Sequence, residues 1–199
     1  MATVKRRKRA YHHGNLREAL LGVAATMVER AGAPGVTLRD VARRVGVTHT
    51  AAYHHFESRE ALLREVAMQG FNELGEALAK GTKKATEDPR VALRQTGRAY
   101  VEFAVQRPNL FRLMFGPLMN GAQPAAEASR RASFQVLVGA VARAMGAVMP
   151  GGAIPELRGP LAAWSVVHGL SVLLIDEQLA GLGFKVENWE SAVKLVLET

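Results

Sequence analysis

Residues 37–59 run Thr37-Leu38-Arg39-Asp40-Val41-Ala42-Arg43-Arg44-Val45-Gly46-Val47-Thr48-His49-Thr50-Ala51-Ala52-Tyr53-His54-His55-Phe56-Glu57-Ser58-Arg59. Thr37 precedes Leu38, and Asp40 follows three residues later, a capping-box spacing with Asp in place of Glu. Leu38, Val41, Ala42 and Val45 then share one face of a short helix. Gly46 stops it, because glycine accepts the left-handed conformation that a tight turn needs. Thr48 caps a second helix, expected over His49 to Phe56, and Ser58 caps a third. Two short helices about a glycine-centred turn predict a helix-turn-helix, whose second helix enters the DNA major groove.

The second helix has the composition this requires. Thr48, His49, Thr50, Tyr53 and His54 supply hydrogen-bonding groups, Ala51 and Ala52 are small, and Ala52 and Phe56 turn inward as anchors. A solvated surface helix would also carry polar residues, so the pattern gains its weight from its neighbours. Gly46-Val47-Thr48, Ala52-Tyr53-His54-His55-Phe56 and Ser58-Arg59-Glu60-Ala61-Leu62-Leu63 together resemble the signature of the TetR/AcrR family of one-component bacterial repressors. The resemblance covers roughly residues 15 to 67, with Arg59 where the family usually has Lys. It implies an all-α chain: a three-helix DNA-binding domain with a helix-turn-helix, joined by a long helix to a helical ligand-binding and dimerisation domain. The expected partition is a basic arm over 1–14, the DNA-binding domain over 15–66 and the effector-binding and dimerisation domain over 67–199.

Charge points the same way. The 199 residues carry a net charge of +8. Residues 1–60 hold 11 Lys and Arg against 5 acids, and the remainder holds 15 against 13. A basic module on a near-neutral body implies a polyanionic partner at one end. Lys5-Arg6-Arg7-Lys8-Arg9 reads as an arm that neutralises phosphates or as a plain solvated tail. His12, His13 and Gly14 stand just before a helix expected from Asn15 to Ala31. With zero cysteines the chain makes no disulfide and has no thiolate ligand or nucleophile. No apolar run follows Arg9, so a secretory signal is rejected. The most apolar stretch, Leu161 to Ile175, is short for a bilayer and contains His168, so a buried helix is expected and no membrane partner. A bacterial cytoplasm is the expected compartment.

Further helices are expected from Ser58 to about Lys80, Val91 to Gln106, Asn109 to Phe115, Ala125 to Val148, Pro155 to Leu179 and Glu187 to Leu197. Gly81 to Pro89 reads as a polar break. No segment alternates as strands do.

For DNA, His49, Thr50 and Ala51 are expected at base edges, with Thr37, Thr48, Tyr53, His54 and Arg59 on phosphates. The resemblance implies the phosphate contact at Tyr53. In the body, Trp164-Ser165-Val166-Val167-His168-Gly169 and Arg107-Pro108-Asn109-Leu110-Phe111-Arg112-Leu113-Met114-Phe115 resemble a subgroup of the family's C-terminal domains. Candidates to line an effector pocket are Phe71, Tyr100, Phe103, Phe111, Met114, Phe115, Trp164 and His168; the competing reading is that they simply fill the core. Leu170, Leu173, Leu174, Leu179, Val193, Val196 and Leu197 are expected to form a two-fold dimer face. The expected partners are a pseudo-palindromic duplex, a second copy of the chain and a small apolar or amphipathic effector. No cofactor, metal or catalytic residue is expected. Two alternatives stand beside this: a metal-dependent hydrolase using the N-terminal histidines, which lacks a carboxylate at ligand spacing or a His-Glu-x-x-His pattern, and a nonspecific architectural DNA binder.

Overall fold

A computed structural model describes residues 16–84, 88–121, 124–146 and 157–198. The described residues form α1 (Leu16–Ala31), α2 (Leu38–Val45), α3 (His49–Tyr53), α4 (Arg59–Lys84), α5 (Pro89–Gln106), α6 (Pro108–Met114), α7 (Pro124–Ala144), α8 (Arg158–Ile175) and α9 (Trp189–Leu197), with short 3-10 turns and no strand. The basic arm, His12, His13 and Asn15 lie outside the described residues.

The caps read from sequence are in place. Thr37 accepts the Asp40 amide at 3.1 Å, Thr48 accepts the Ala51 amide at 3.2 Å and Ser58 accepts the Ala61 amide at 3.0 Å. Gly46 sits in the left-handed region at φ 86°, and its amide returns to Ala42 and Arg43. Helix α3 is shorter than expected: it stops at Tyr53, and a turn carries the chain to Phe56.

Helix α4 is longer than expected. Gly81, read as part of a break, lies buried inside it. A Cβ at Gly81 would stand 2.9 Å from the Gln95 carbonyl oxygen of α5. The missing side chain lets α4 and α5 cross closely. Beside this crossing the Thr82 and Thr96 hydroxyls meet at 2.9 Å, and Thr96 Oγ1 also donates to the Ala92 carbonyl.

One apolar core runs through both ends of the chain. At the N-terminal end Leu20, Ala24, Val28, Val36, Val41, Ala52, Phe56 and Leu63 are buried together. In the body α4 packs on α5, α6 and α7, and α5 carries α8 and α9. Gly97 of α5 lies between Val167 of α8 and Leu197 of α9.

The helix expected to be buried near Leu161–Ile175 is buried along one side only. By length and composition α8 could cross a membrane, yet it packs one side on α5 and leaves Leu161, Val166 and Leu173 exposed. The expected dimer face is corrected in part. Leu170, Leu174 and Val193 turn into the chain's own core, whereas Leu173 and Val196 face outward and Leu179 and Leu197 are half-buried.

Candidate nucleic-acid interface and effector cavity

Buried apolar residues hold helix α3 and the turn after it, and the polar ones are displayed. Ala52 and Phe56 are buried, and Val47 is fixed by an amide hydrogen bond to the Ala42 carbonyl. Thr48, His49, Thr50, Tyr53 and His54 are exposed, and Ala51 is half-buried. His49 and Tyr53 meet edge to face with centroids 4.6 Å apart, which stiffens the exposed side. Five of the eight residues expected at DNA therefore share one outward surface on a short, double-anchored helix. Thr48 accepts its cap bond and keeps its hydroxyl proton available to an acceptor.

Thr37 and Arg59 are placed otherwise. The Thr37 hydroxyl donates to Asp40 Oδ2 at 2.7 Å while accepting the Asp40 amide, so the one proton it could offer a phosphate is already engaged. That hydrogen bond, with Arg43, Arg44 and Arg39 nearby, holds the Asp40 carboxyl below the usual carboxylate range. Arg59 Nε donates to the Val36 carbonyl at 2.7 Å and Nη2 to the Ala33 carbonyl at 2.7 Å, and Nη1 approaches Glu60. The guanidinium thus fastens the α1–α2 connection to the start of α4. Sequence reasoning saw a cation before a long helix and assigned it to phosphate; the carbonyls it satisfies lie more than twenty residues upstream and leave no pattern.

In the body, a cavity of about 420 Å³ opens between α4, α5, α7 and α8. Four expected residues line it: Phe71, Tyr100, Phe115 and Trp164. The other four do not. Phe103 stands under the Arg107 guanidinium, and Met114 fills the space beside Gly70. Phe111 and His168 sit behind the wall, stacked with Phe115 and Tyr100. Of these four, Phe103, Phe111 and Met114 are buried and His168 is half-buried.

The polar groups of that wall form a chain. Trp164 Nε1 donates to the Tyr100 hydroxyl at 3.1 Å, and that hydroxyl meets His168 Nδ1 at 3.0 Å. Indole is a donor only, so the Tyr100 proton is directed at His168 Nδ1 and the ring proton belongs on Nε2. Burial pushes the Tyr100 phenol up and the His168 imidazole down, so both are neutral near pH 7.

Sequence reasoning missed the α7 side of the cavity. Glu127, Arg130, Arg131, Phe134 and Leu137 recur at helical spacing and line it together. The period was there to read, but the charged residues at the start of α7 hide it.

Helix α6 links this wall to the N-terminal module. Arg107, at its start, pairs with Glu29 of α1 at 2.6 Å and also with Glu73 of α4. Asn109 Nδ2 donates to the Glu29 carbonyl at 2.9 Å. Arg112 reaches Asp176 and the Ile175 carbonyl at the end of α8. Among the described residues no three His, Asp or Glu side chains are grouped to hold a metal ion.

Two family profiles match. One, described as bacterial regulatory proteins of the tetR family, matches residues 20–66, and one described as a tetracyclin repressor-like C-terminal domain matches residues 93–196. The second takes in both Arg107–Phe115 and Trp164–Gly169 without assigning them to a subgroup. The chain is similar to the HTH-type transcriptional regulator YobS of Bacillus subtilis, 24% identical over 98 residues, spanning 49% of this chain and 50% of that one. It is also 38% identical over 55 residues to the HTH-type transcriptional repressor KstR2 of Rhodococcus jostii, spanning 28% of this chain and 26% of that one. The chain thus spans half or less of the curated relatives it matches. Among solved structures, a protein of unknown function from Rhodococcus sp. RHA1 is 33% identical, with TM-score 0.76 over 96% of this chain and 98% of that one. The TetR family regulator PfmR of Thermus thermophilus shares the fold at 22% identity, TM-score 0.62, over 90% and 97%. With the helix-turn-helix and the helical body both matched across most of the chain, it belongs to the tetR family of bacterial regulatory proteins.

Proposed function

We propose that the chain is a homodimeric, sequence-specific DNA-binding repressor, released from its operator when a small apolar or amphipathic effector enters the body cavity. The observation that carries this is the presentation of α3: Thr48, His49, Thr50, Tyr53 and His54 face solvent on a helix fixed from behind by Ala52 and Phe56. Short polar side chains near a helix start suit base edges, and hydroxyls with amides suit phosphate oxygens. Thr50 and His49 are assigned to bases, with Ala51 allowing close approach; Thr48, Tyr53 and His54 are assigned to phosphates. In this reading residues 1–14 form the arm, 15–66 the DNA-binding domain and 67–199 the effector and dimer domain, in a bacterial cytoplasm.

The apolar groups left exposed on α8 and α9 support pairing with a second copy. Two-fold pairing would present two copies of α3 to a pseudo-palindromic site, whose successive major grooves lie about 34–36 Å apart. An effector that favours a different separation weakens DNA binding by linkage. The route is α6, which ends at the cavity in Phe115 and begins on α1 through Arg107 and Asn109.

The test is fluorescence anisotropy with duplex DNA from upstream of the chain's own coding sequence, alongside random duplex of equal length. Preference for the upstream DNA by a dimer supports the reading. Equal competition by random duplex would replace it with a nonspecific architectural binder.

A further inference from the structure

The body cavity has a charged end and an apolar end, and this narrows its ligand. On the α7 side the lining runs from Glu127, Arg130 and Arg131 to Phe134 and Leu137, in helical register. The remaining wall is apolar or aromatic: Phe71, Leu74, Leu78, Phe115, Leu161 and Trp164. The two polar groups inside are already engaged: the Tyr100 hydroxyl is bonded to Trp164 and His168, and the Ser133 hydroxyl donates its proton to the Arg130 carbonyl. Polar recognition therefore falls to the rim.

At the rim the charges are not balanced. Arg130 Nη2 bonds both Glu127 oxygens, at 2.8 and 2.6 Å, which matches one cation with one anion. Arg131 pairs with no carboxylate among the described residues. A guanidinium presents parallel N–H donors in the geometry of a carboxylate.

We propose that the cavity takes an amphipathic monocarboxylate, with its apolar body between Phe71, Phe115, Phe134 and Trp164 and its carboxylate on Arg131. This rests on the reading of the cavity as the effector site and names the chemical class that site accepts. Neutral and cationic amphiphiles of the same length bind less well, the neutral one for want of the ion pair and the cation through repulsion. The volume of about 420 Å³ lies at the small end of ligand pockets, which suits a single chain or ring system.

The experiment uses Trp164 as its own reporter. The chain has two tryptophans, so Trp189→Phe leaves Trp164 as the sole indole. Its fluorescence is titrated with decanoate, decanol and decyltrimethylammonium, below their micelle concentrations. Decanoate is expected to bind tightest, at least about tenfold over decanol, the lower range for a hydrogen bond to a charged group. Arg131→Gln is expected to erase that preference and leave decanol binding unchanged. Decanol or the cation binding as well as decanoate, a preference that survives Arg131→Gln, or no response to any probe overturns the proposal. DNA binding without probe is read in the same samples. Its loss would count against the regulator reading, whereas DNA binding with no decanoate preference counts against the carboxylate site alone.

Discussion

At the residue scale, the N-terminal module divides polar side chains into those spent on the fold and those left for a partner. Arg59 is spent: two of its nitrogens satisfy the Ala33 and Val36 carbonyls. Arg59→Ala should lower unfolding free energy by about 1–2 kcal/mol in a denaturant titration, since charge-assisted bonds to carbonyls are lost from a half-buried site. The slope of DNA affinity against salt should stay as it was, because no phosphate cation has gone. Tyr53 and Thr50 are exposed, and the proposed function assigns them to DNA. Tyr53→Phe should weaken all duplexes alike with unchanged thermal stability. Thr50→Ala should change the base preference by about 1–3 kcal/mol at one position of the site, read by competition with single-base variants. Uniform weakening by Thr50→Ala would remove it from the base edges.

His168 supplies a pH signature. Burial lowers its pKa from 6.5, so the unfolded chain binds this proton more readily than the folded one. Its contribution to stability is complete above the unfolded value and is lost as pH falls through 6.5 toward the folded value. Below the folded value the loss levels off. Melting temperature should therefore fall from pH 7.5 to 5.5, and His168→Gln should flatten that fall. An unchanged pH profile in the variant would show that His168 is not the group concerned.

At the element scale, helix ends are legible where a cap or breaker decides them and obscure where packing does. Thr37, Gly46, Thr48 and Ser58 act within their own turn, so the sequence alone locates α2 and the starts of α3 and α4. Gly81 misleads because its role belongs to Gln95 on another helix. The cavity is legible only in part for the same reason. Aromatic residues mark the general place, but whether a ring lines the cavity, as Phe115 does, or backs it, as Phe111 does, depends on how α6 packs on α4 and α5. Helix α6 carries the element-scale prediction. Arg107→Gln removes the pairs to Glu29 and Glu73, which are partly exposed and worth about 1 kcal/mol in stability. DNA affinity without ligand should change little, while the ligand concentration needed for release should rise. Release at the native concentration would show that α6 does not transmit the signal through this contact.

At the scale of the whole molecule, a shared core joins the two ends, so the cavity and α3 belong to one mechanical body. Leu173, Leu195 and Val196 stay exposed on α8 and α9, an outer face that pairing would cover. The separation of two α3 copies is then a property of the pair. Hydroxyl-radical footprinting of the chain's upstream DNA tests this most directly. Two protected stretches about 10–10.5 base pairs apart are expected, centred on facing major grooves, at two chains per site and lost together in Thr50→Ala and Tyr53→Ala double variants. A monomeric chain that leaves the duplex uniformly cleaved at low salt would contradict it.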